Sequence, residues 1–257
     1  MTIRQLALRG ANAIRRELRP PVPEEIMARL RIDPHEKDAV ASQTTGALAE
    51  VFFGHRGRIV HKWVHYLEIY ERHFAPYRNT PVKMLEIGVF KGGSLEMWRE
   101  YFGETATIFG IDINSDCAGY VTAPTQVRIG SQDDPLFLKK VILEMGTPDI
   151  VLDDGSHIGC HQRKSFDTLF PLLKPGALYV IEDLHTSYWP EPYAGGYRRE
   201  TTAIGQIKQM IDDMHAWYHN SPVTTPAKTD IGAIHLYDSI VVIEKKRRQQ
   251  PGHIQVG

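Results

Sequence analysis

Short apolar runs alternate with amphipathic stretches along most of this chain. VKMLEIG (82–88) is a strand-length apolar run that ends in glycine. TIFGIDI (107–113) is a second, residues 126–129 a weaker third, DIVLDD (149–154) a fourth and ALYVIED (177–183) a fifth. Between them, residues 93–103, 135–145 and 161–173 have the polar and apolar spacing of helices. Strands alternating with helices predict parallel βαβ units with right-handed crossovers, an α/β fold. The end of the chain breaks this rhythm. A helix near 200–218 precedes GAIHLYDSIVVIEKK (232–246), two strand-like runs that meet at Tyr237, Asp238 and Ser239. They predict an antiparallel hairpin closing the sheet.

Before residue 81 the pattern is helical. In HKWVHYLEIYERHF (61–74), Trp63, Leu67, Tyr70 and Phe74 recur at helical spacing, and Pro76 and Pro81 close the segment. Nearer the start, Ile3, Leu6, Ile14 and Leu18 share one face of an Arg-rich helix that carries Arg4, Arg9, Arg15, Arg16 and Arg19. Pro20, Pro21 and Pro23 end it. Its apolar side is thin, so a helix docked on the protein or on a second subunit is preferred to one lying on a membrane. Residues 1–80 are read as a helical N-terminal extension and 81–257 as the catalytic domain. A Rossmann-like, mostly parallel sheet finished by an antiparallel hairpin is the class I methyltransferase plan, whereas dehydrogenases use six parallel strands.

Composition narrows the setting. The 257 residues are 42% hydrophobic and 24% charged, with a formal net charge of −1, so no global field favours nucleic acid. The two cysteines, Cys117 and Cys160, have no paired spacing, which argues against a disulfide framework and suits a reducing cytoplasm. No apolar run approaches the roughly 20 residues that span a bilayer. The run Lys245, Lys246, Arg247, Arg248 reads as a solvated end. Homo-oligomerisation through the helical N-terminus is expected.

Candidate chemistry gathers at strand ends. Glu86-Ile-Gly88-Val-Phe-Lys-Gly92-Gly93-Ser94 joins the first strand to the next helix. Its glycines let backbone approach a ligand, and the helix start supplies free N–H groups. The G-x-G-x-x-G spacing of a pyrophosphate loop is missing, and Glu86 suits a cationic, phosphate-free ligand; S-adenosylmethionine carries a sulfonium and an amine. Asp112 ends the second strand, where an acid can accept both ribose hydroxyls. Ser131, Gln132 and Asp133 follow the third strand and can read an adenine edge. The plainer alternative is that the glycines only turn the chain and Asp112 caps a helix.

Asp154, Glu182 and Asp183 end the adjacent fourth and fifth strands. Three such carboxylates repel unless a cation neutralises them, and hard oxygen donors favour magnesium, with manganese or calcium as alternatives. His157, on the same loop as Asp154, can take a proton from a metal-bound hydroxyl. Asp-Gly is also a common turn, and Glu182 and Asp183 can pair with arginines instead. LHTSYWPEPYAGGYRRE (184–200) places His185, Tyr188, Trp189 and Tyr193 where aromatic rings can stack on a sugar. His61, Lys62, His65 and Tyr66 are assigned to the cofactor entrance, Trp63 and Leu67 to the core.

LEIGVFKGGSLEMWREYF, DIVLDDGSHIGCHQRKSFDTLFPLLKPGALYVIEDLHTSYWP and HKWVHYLEIYERHFAP together resemble the metal-dependent sugar O-methyltransferases of macrolide biosynthesis, the mycinamicin and macrocin type. The resemblance covers roughly residues 60–190. It implies Asp154, Glu182 and Asp183 as magnesium ligands, His157 as general base and Asp153 near the methionine part of the cofactor. Those enzymes carry a longer N-terminal domain than the fewer than about 80 residues that precede the first strand here. The actinobacterial enzyme that methylates methylmannose polysaccharides is another candidate relative. A metal-dependent oxygenase or hydrolase is the competing enzyme class, and a non-catalytic cofactor-binding protein the competing binding module.

Overall fold

The computed structural model describes residues 23–120 and 123–257. The Arg-rich helix expected near the start lies outside the described residues. Among the described residues four α-helices precede the sheet: α1 (Pro23–Leu30), α2 (Lys37–Gln43), α3 (Ala47–Gly54) and α4 (Tyr66–Phe74). Pro23 opens α1, where its missing N–H is harmless. Helix α4 begins at Tyr66 rather than near residue 61, because residues 59–63 leave the helix to line a cleft.

The strands are β1 (Lys83–Ile87), β2 (Thr107–Asp112), β3 (Gln126–Ile129), β4 (Ile150–Asp153), β5 (Leu178–Ile181), β6 (Ile231–Leu236) and β7 (Val241–Lys245). Helices α5 (Gly93–Phe102), α6 (Pro135–Met145), α7 (Gly159–Leu169), α8 (Ala203–Met214) and the short α9 (Ala227–Asp230) connect them. Asp134 caps α6 by accepting from Leu136 N at 2.9 Å, with Pro135 at the first helical position. The sheet order is β3-β2-β1-β4-β5-β7-β6. Pairings among β1 to β5 are parallel, and β7 joins β5 and β6 antiparallel. The expected hairpin turns through Tyr237, whose N–H donates to Ile240 O at 2.9 Å.

Strands β4 and β5 are buried throughout, as parallel strands covered on both faces must be. Side chains alternate between two cores. Met84, Leu152 and Val180 face α3, α4 and α5, against Leu48, Tyr66, Phe74 and Trp98. Leu85, Val151 and Tyr179 face α6, α7 and α8, against Leu138, Phe166 and Ile207. The helices before the sheet thus share its core.

The charged end of β7 departs from the expectation of a solvated tail. Lys245 is buried, paired with Asp230 at 3.3 Å and lying over the Phe170 ring. Arg248 Nη1 donates to Met214 O at 3.0 Å. Both are drawn in by the polar ends of α8 and α9. No helix among the described residues is long and apolar enough to cross a membrane.

Candidate active site

β1 pairs with β2 on one side and β4 on the other, so the chain reverses its strand order there. A crevice opens beyond the strand ends at such a point. In-register pairs Ile87–Ile111, Ile87–Asp153 and Asp153–Ile181 bring the C-terminal ends of four strands to one edge. A cleft of about 310 Å³ lies beside them, lined in part by Gly88, Ser94, Asp112, Asp154, His157 and Asp183.

The glycine loop is built for close approach. Gly88 has φ +94°, and a Cβ there would stand 2.1 Å from the Asp154 backbone oxygen. Gly92, also at positive φ, precedes α5. Asp112 Oδ2 accepts from Val89 N at 2.9 Å and Phe90 N at 3.1 Å, and Oδ1 from Asn114 N at 2.8 Å. Asp112 therefore both shapes the loop and lines the cleft.

Strand alternation sorts the acids. Glu86, Asp154 and Glu182 continue the parity of Met84, Leu152 and Val180 and point to the α4 side. There they meet Lys62. Its Nζ donates to Asp154 Oδ2 and Glu182 Oε1 at 2.5 Å each, and stands 3.8 Å from Glu86 Oε1. Burial alone would lower the Lys62 pKa, but the carboxylates of Asp154, Glu182 and Glu86 outweigh it and hold the ammonium charged. Burial pushes Glu86 up to about 7, against the pull of Lys62 and hydrogen bonds from Ser94 and Trp98. Glu86 is fully buried and is not among the residues that line the cleft. Glu182 is also buried; Tyr70 donates to the same oxygen as Lys62, and burial and Asp154 raise its pKa. The cation that relieves the clustered acids in this arrangement is thus a lysine, assigned from sequence to the cofactor entrance.

Asp154 and Asp183 turn outward. His157 Nε2 is 3.8 Å from Asp154 Oδ1 and 3.7 Å from Asp183 Oδ2. Ligand atoms of the three residues lie within 4.8 Å of one another. His157 Nδ1 is buried with no hydrogen-bond partner among the described residues. His157 and Asp183 both hold φ +56°, a strained conformation for residues with a Cβ. Trp63 Nε1 donates to Asp183 Oδ1 at 3.1 Å, and the Tyr66 hydroxyl lies 3.0 Å from the same oxygen. Trp63, assigned from sequence to the core, packs against it and also lines the cleft. Two hard carboxylates beside an imidazole suit a divalent cation. Glu182 sits behind them with one oxygen taken by Lys62 and Tyr70.

Other expected residues are placed differently. Asp153 has the opposite parity and is fully buried, accepting from Ser165 Oγ at 2.6 Å and Gln132 Nε2 at 3.1 Å. It anchors the loop from beneath and does not line the cleft. Gln132 is spent on that contact and on Ser156 N, whose bond to Oε1 is 2.7 Å, so its amide is not free to read a base. Ser131 donates to Asp133, which stays half exposed. None of His185, Tyr188, Trp189 and Tyr193 lines the cleft. Trp189 is 6% exposed, packed between His185 and Tyr193. Tyr188 faces a separate polar cavity with Arg163 and Arg199. His185 comes nearest, its ring 5.5 Å from that of Trp63 and its Nδ1 2.5 Å from Ser239 Oγ.

With this geometry in view, the relatives are informative. The chain is 34% identical to MycE, the mycinamycin-pathway methyltransferase solved in complex with Mg, SAH and mycinamycin VI, with a TM-score of 0.67 over 82% of this chain and 54% of that one. The fold is that of a class I methyltransferase. Among curated proteins, the 8-demethyl-8-α-L-rhamnosyl tetracenomycin-C 2′-O-methyltransferase of Streptomyces olivaceus is 39% identical over 75% of this chain and 54% of its own length. The mycinamicin VI 2″-O-methyltransferase of Micromonospora griseorubida is 39% identical over 71% of this chain and 48% of its own length. The relatives are therefore sugar O-methyltransferases of the macrolide and tetracenomycin type, as the sequence motifs imply. The chain spans about half the length of these curated relatives. No protein-family model matches it.

Proposed function

We propose that the chain is an S-adenosylmethionine-dependent O-methyltransferase that methylates a sugar hydroxyl with the help of magnesium or manganese. One observation carries this reading: the glycine loop, Asp112, Asp154, His157 and Asp183 converge on a single cleft at the edge of a methyltransferase fold. The names of its relatives, which act on rhamnosylated tetracenomycin and on mycinamicin VI, support a sugar-containing acceptor.

The Gly88–Gly92 loop and Asp112 hold the cofactor, with Ser131 and Asp133 at the adenine end. Asp154 and Asp183 hold the divalent ion, and Glu182 supports it through the oxygen that Lys62 and Tyr70 leave free. Bound there, the ion supplies orientation of the acceptor hydroxyl and stabilisation of its developing alkoxide. His157 Nε2 faces the same space and takes the hydroxyl proton as oxygen captures the methyl group. Asp154 and Asp183 then stabilise the imidazolium, from 3.8 and 3.7 Å. One histidine among carboxylates fits this chemistry better than the two-histidine, one-carboxylate set of an oxygenase. His185 is the acceptor contact best supported by its place beside Asp183. Residues 1–80 serve as an extension that completes the catalytic unit. Two unpaired cysteines, Cys117 and Cys160, support a cytoplasmic setting. Self-association belongs to the same reading and is read by light scattering.

Titration calorimetry with S-adenosylhomocysteine is expected to give micromolar binding, and EDTA to abolish methyl transfer to rhamnosylated acceptors while sparing that binding. Absence of binding with or without magnesium would sink the assignment. His157→Ala is expected to lower turnover about 10²- to 10⁴-fold and leave S-adenosylhomocysteine affinity within twofold. Near-normal turnover in that variant removes His157 from the base role.

A further inference from the structure

A second group of metal-capable side chains lies away from the cleft. His73 sits in the last turn of α4, His235 on β6 and Glu244 on β7, and each offers a ligand atom within 4.8 Å of the others. The hairpin register explains the meeting. His235 pairs with Val242, so Glu244, two residues on, lies diagonal to it on the same face of the sheet. That face carries α4, whose C-terminal end brings His73 over the pair. The two imidazole centroids are 4.8 Å apart. His235 Nε2 is 2.7 Å from Glu244 Oε1, and His73 Nε2 is 2.9 Å from the Tyr237 hydroxyl. Arg72 lies across the Tyr237 ring, 5.9 Å from its centroid.

We infer that His73, His235 and Glu244 form a binding site for a borderline transition-metal ion of the zinc class. Zinc bonds of about 2.0–2.1 Å put neighbouring tetrahedral ligand atoms about 3.3 Å apart, between the 2.7 Å of the His235–Glu244 contact and the 4.8 Å within which all three ligand atoms lie. Imidazole donors select such an ion over magnesium, which the carboxylates of the cleft prefer. His235 and Glu244 remain about one third to two fifths exposed, so an ion can enter and a water can complete the shell.

The site joins two elements that frame the catalytic cluster. Helix α4 carries Tyr66 and Tyr70, whose hydroxyls meet Asp183 and Glu182. The β6–β7 turn carries Ser239, whose carbonyl lies 2.9 Å from the Tyr66 hydroxyl. An ion bound by His73, His235 and Glu244 clamps helix to hairpin.

The test uses the full chain, stripped of metal and titrated with Co²⁺ in visible light. One equivalent with strong bands of four-coordinate cobalt is expected in wild type and in Asp154→Asn. His235→Ala is expected to lose the bands, and Glu244→Gln to weaken binding at least tenfold, both with unchanged far-ultraviolet circular dichroism. Zn²⁺ is expected to raise Tm by about 5 °C in wild type and not in His235→Ala. Bands that survive in His235→Ala, bands that vanish only in Asp154→Asn, or no cobalt bound at millimolar concentration would each overturn the site.

Discussion

A lysine taken out of water ordinarily gives up its proton. Lys62 keeps it because three carboxylates, two of them at 2.5 Å, share its buried surroundings. Removing the ammonium leaves those acids facing one another with no counter-charge. Lys62→Met is therefore expected to destabilise the fold by about 3–5 kcal/mol, seen as a lower urea midpoint at pH 8. Retained stability would mean that the acids take up protons in its place. Replacement by arginine is expected to repair little of the loss, since a planar guanidinium does not present the single nitrogen that meets both Asp154 and Glu182. Nothing in the local pattern marks Lys62 for this role: it sits between a histidine and a tryptophan, where a cationic side chain usually faces solvent. The signal lay elsewhere, in three acids of like parity at the ends of adjacent strands.

At the scale of elements, the loop between β1 and α5 is held by contact with the loop after β4. Gly88 leaves no room for a side chain against Asp154 O, and its φ of +94° is one that L-residues avoid. Gly88→Ala is expected to push the two loops apart, lower stability by about 1–3 kcal/mol and weaken S-adenosylhomocysteine binding at least tenfold by calorimetry. Wild-type affinity in this variant would show that the loop does not contact the cofactor. The strands and their order of appearance were legible because apolar runs of 4–6 residues between helical stretches have few other solutions. The start of α4 was not, because residues 61–65 keep helical spacing while tertiary contacts with the acids draw them out of the helix. Asp153 and Asp154 illustrate the same limit. Adjacent identical residues look interchangeable in a motif, yet one is locked under the sheet by Ser165 and the other opens on the cleft.

For the whole molecule, the question is whether the helices before residue 81 are an accessory. Leu48, Tyr66, Tyr70 and Phe74 are fully buried against Trp98 and Phe102 of the sheet's own layer. A chain reduced to residues 81–257 exposes that face and loses Lys62. It is expected to show no cooperative unfolding transition and no near-ultraviolet circular dichroism; a well-folded fragment would establish two separable units. The parity of the strands has a last consequence, for how such a chain can change over time. Substitutions at a strand end alter one side chain, but a one-residue insertion or deletion within β4 reverses the faces of Asp153 and Asp154, so that anchor and cleft residue cannot both keep their places. The central strands therefore behave as a reading frame. Length variation in this lineage belongs in the connections, and a frameshift of one pleat is a loss of the site.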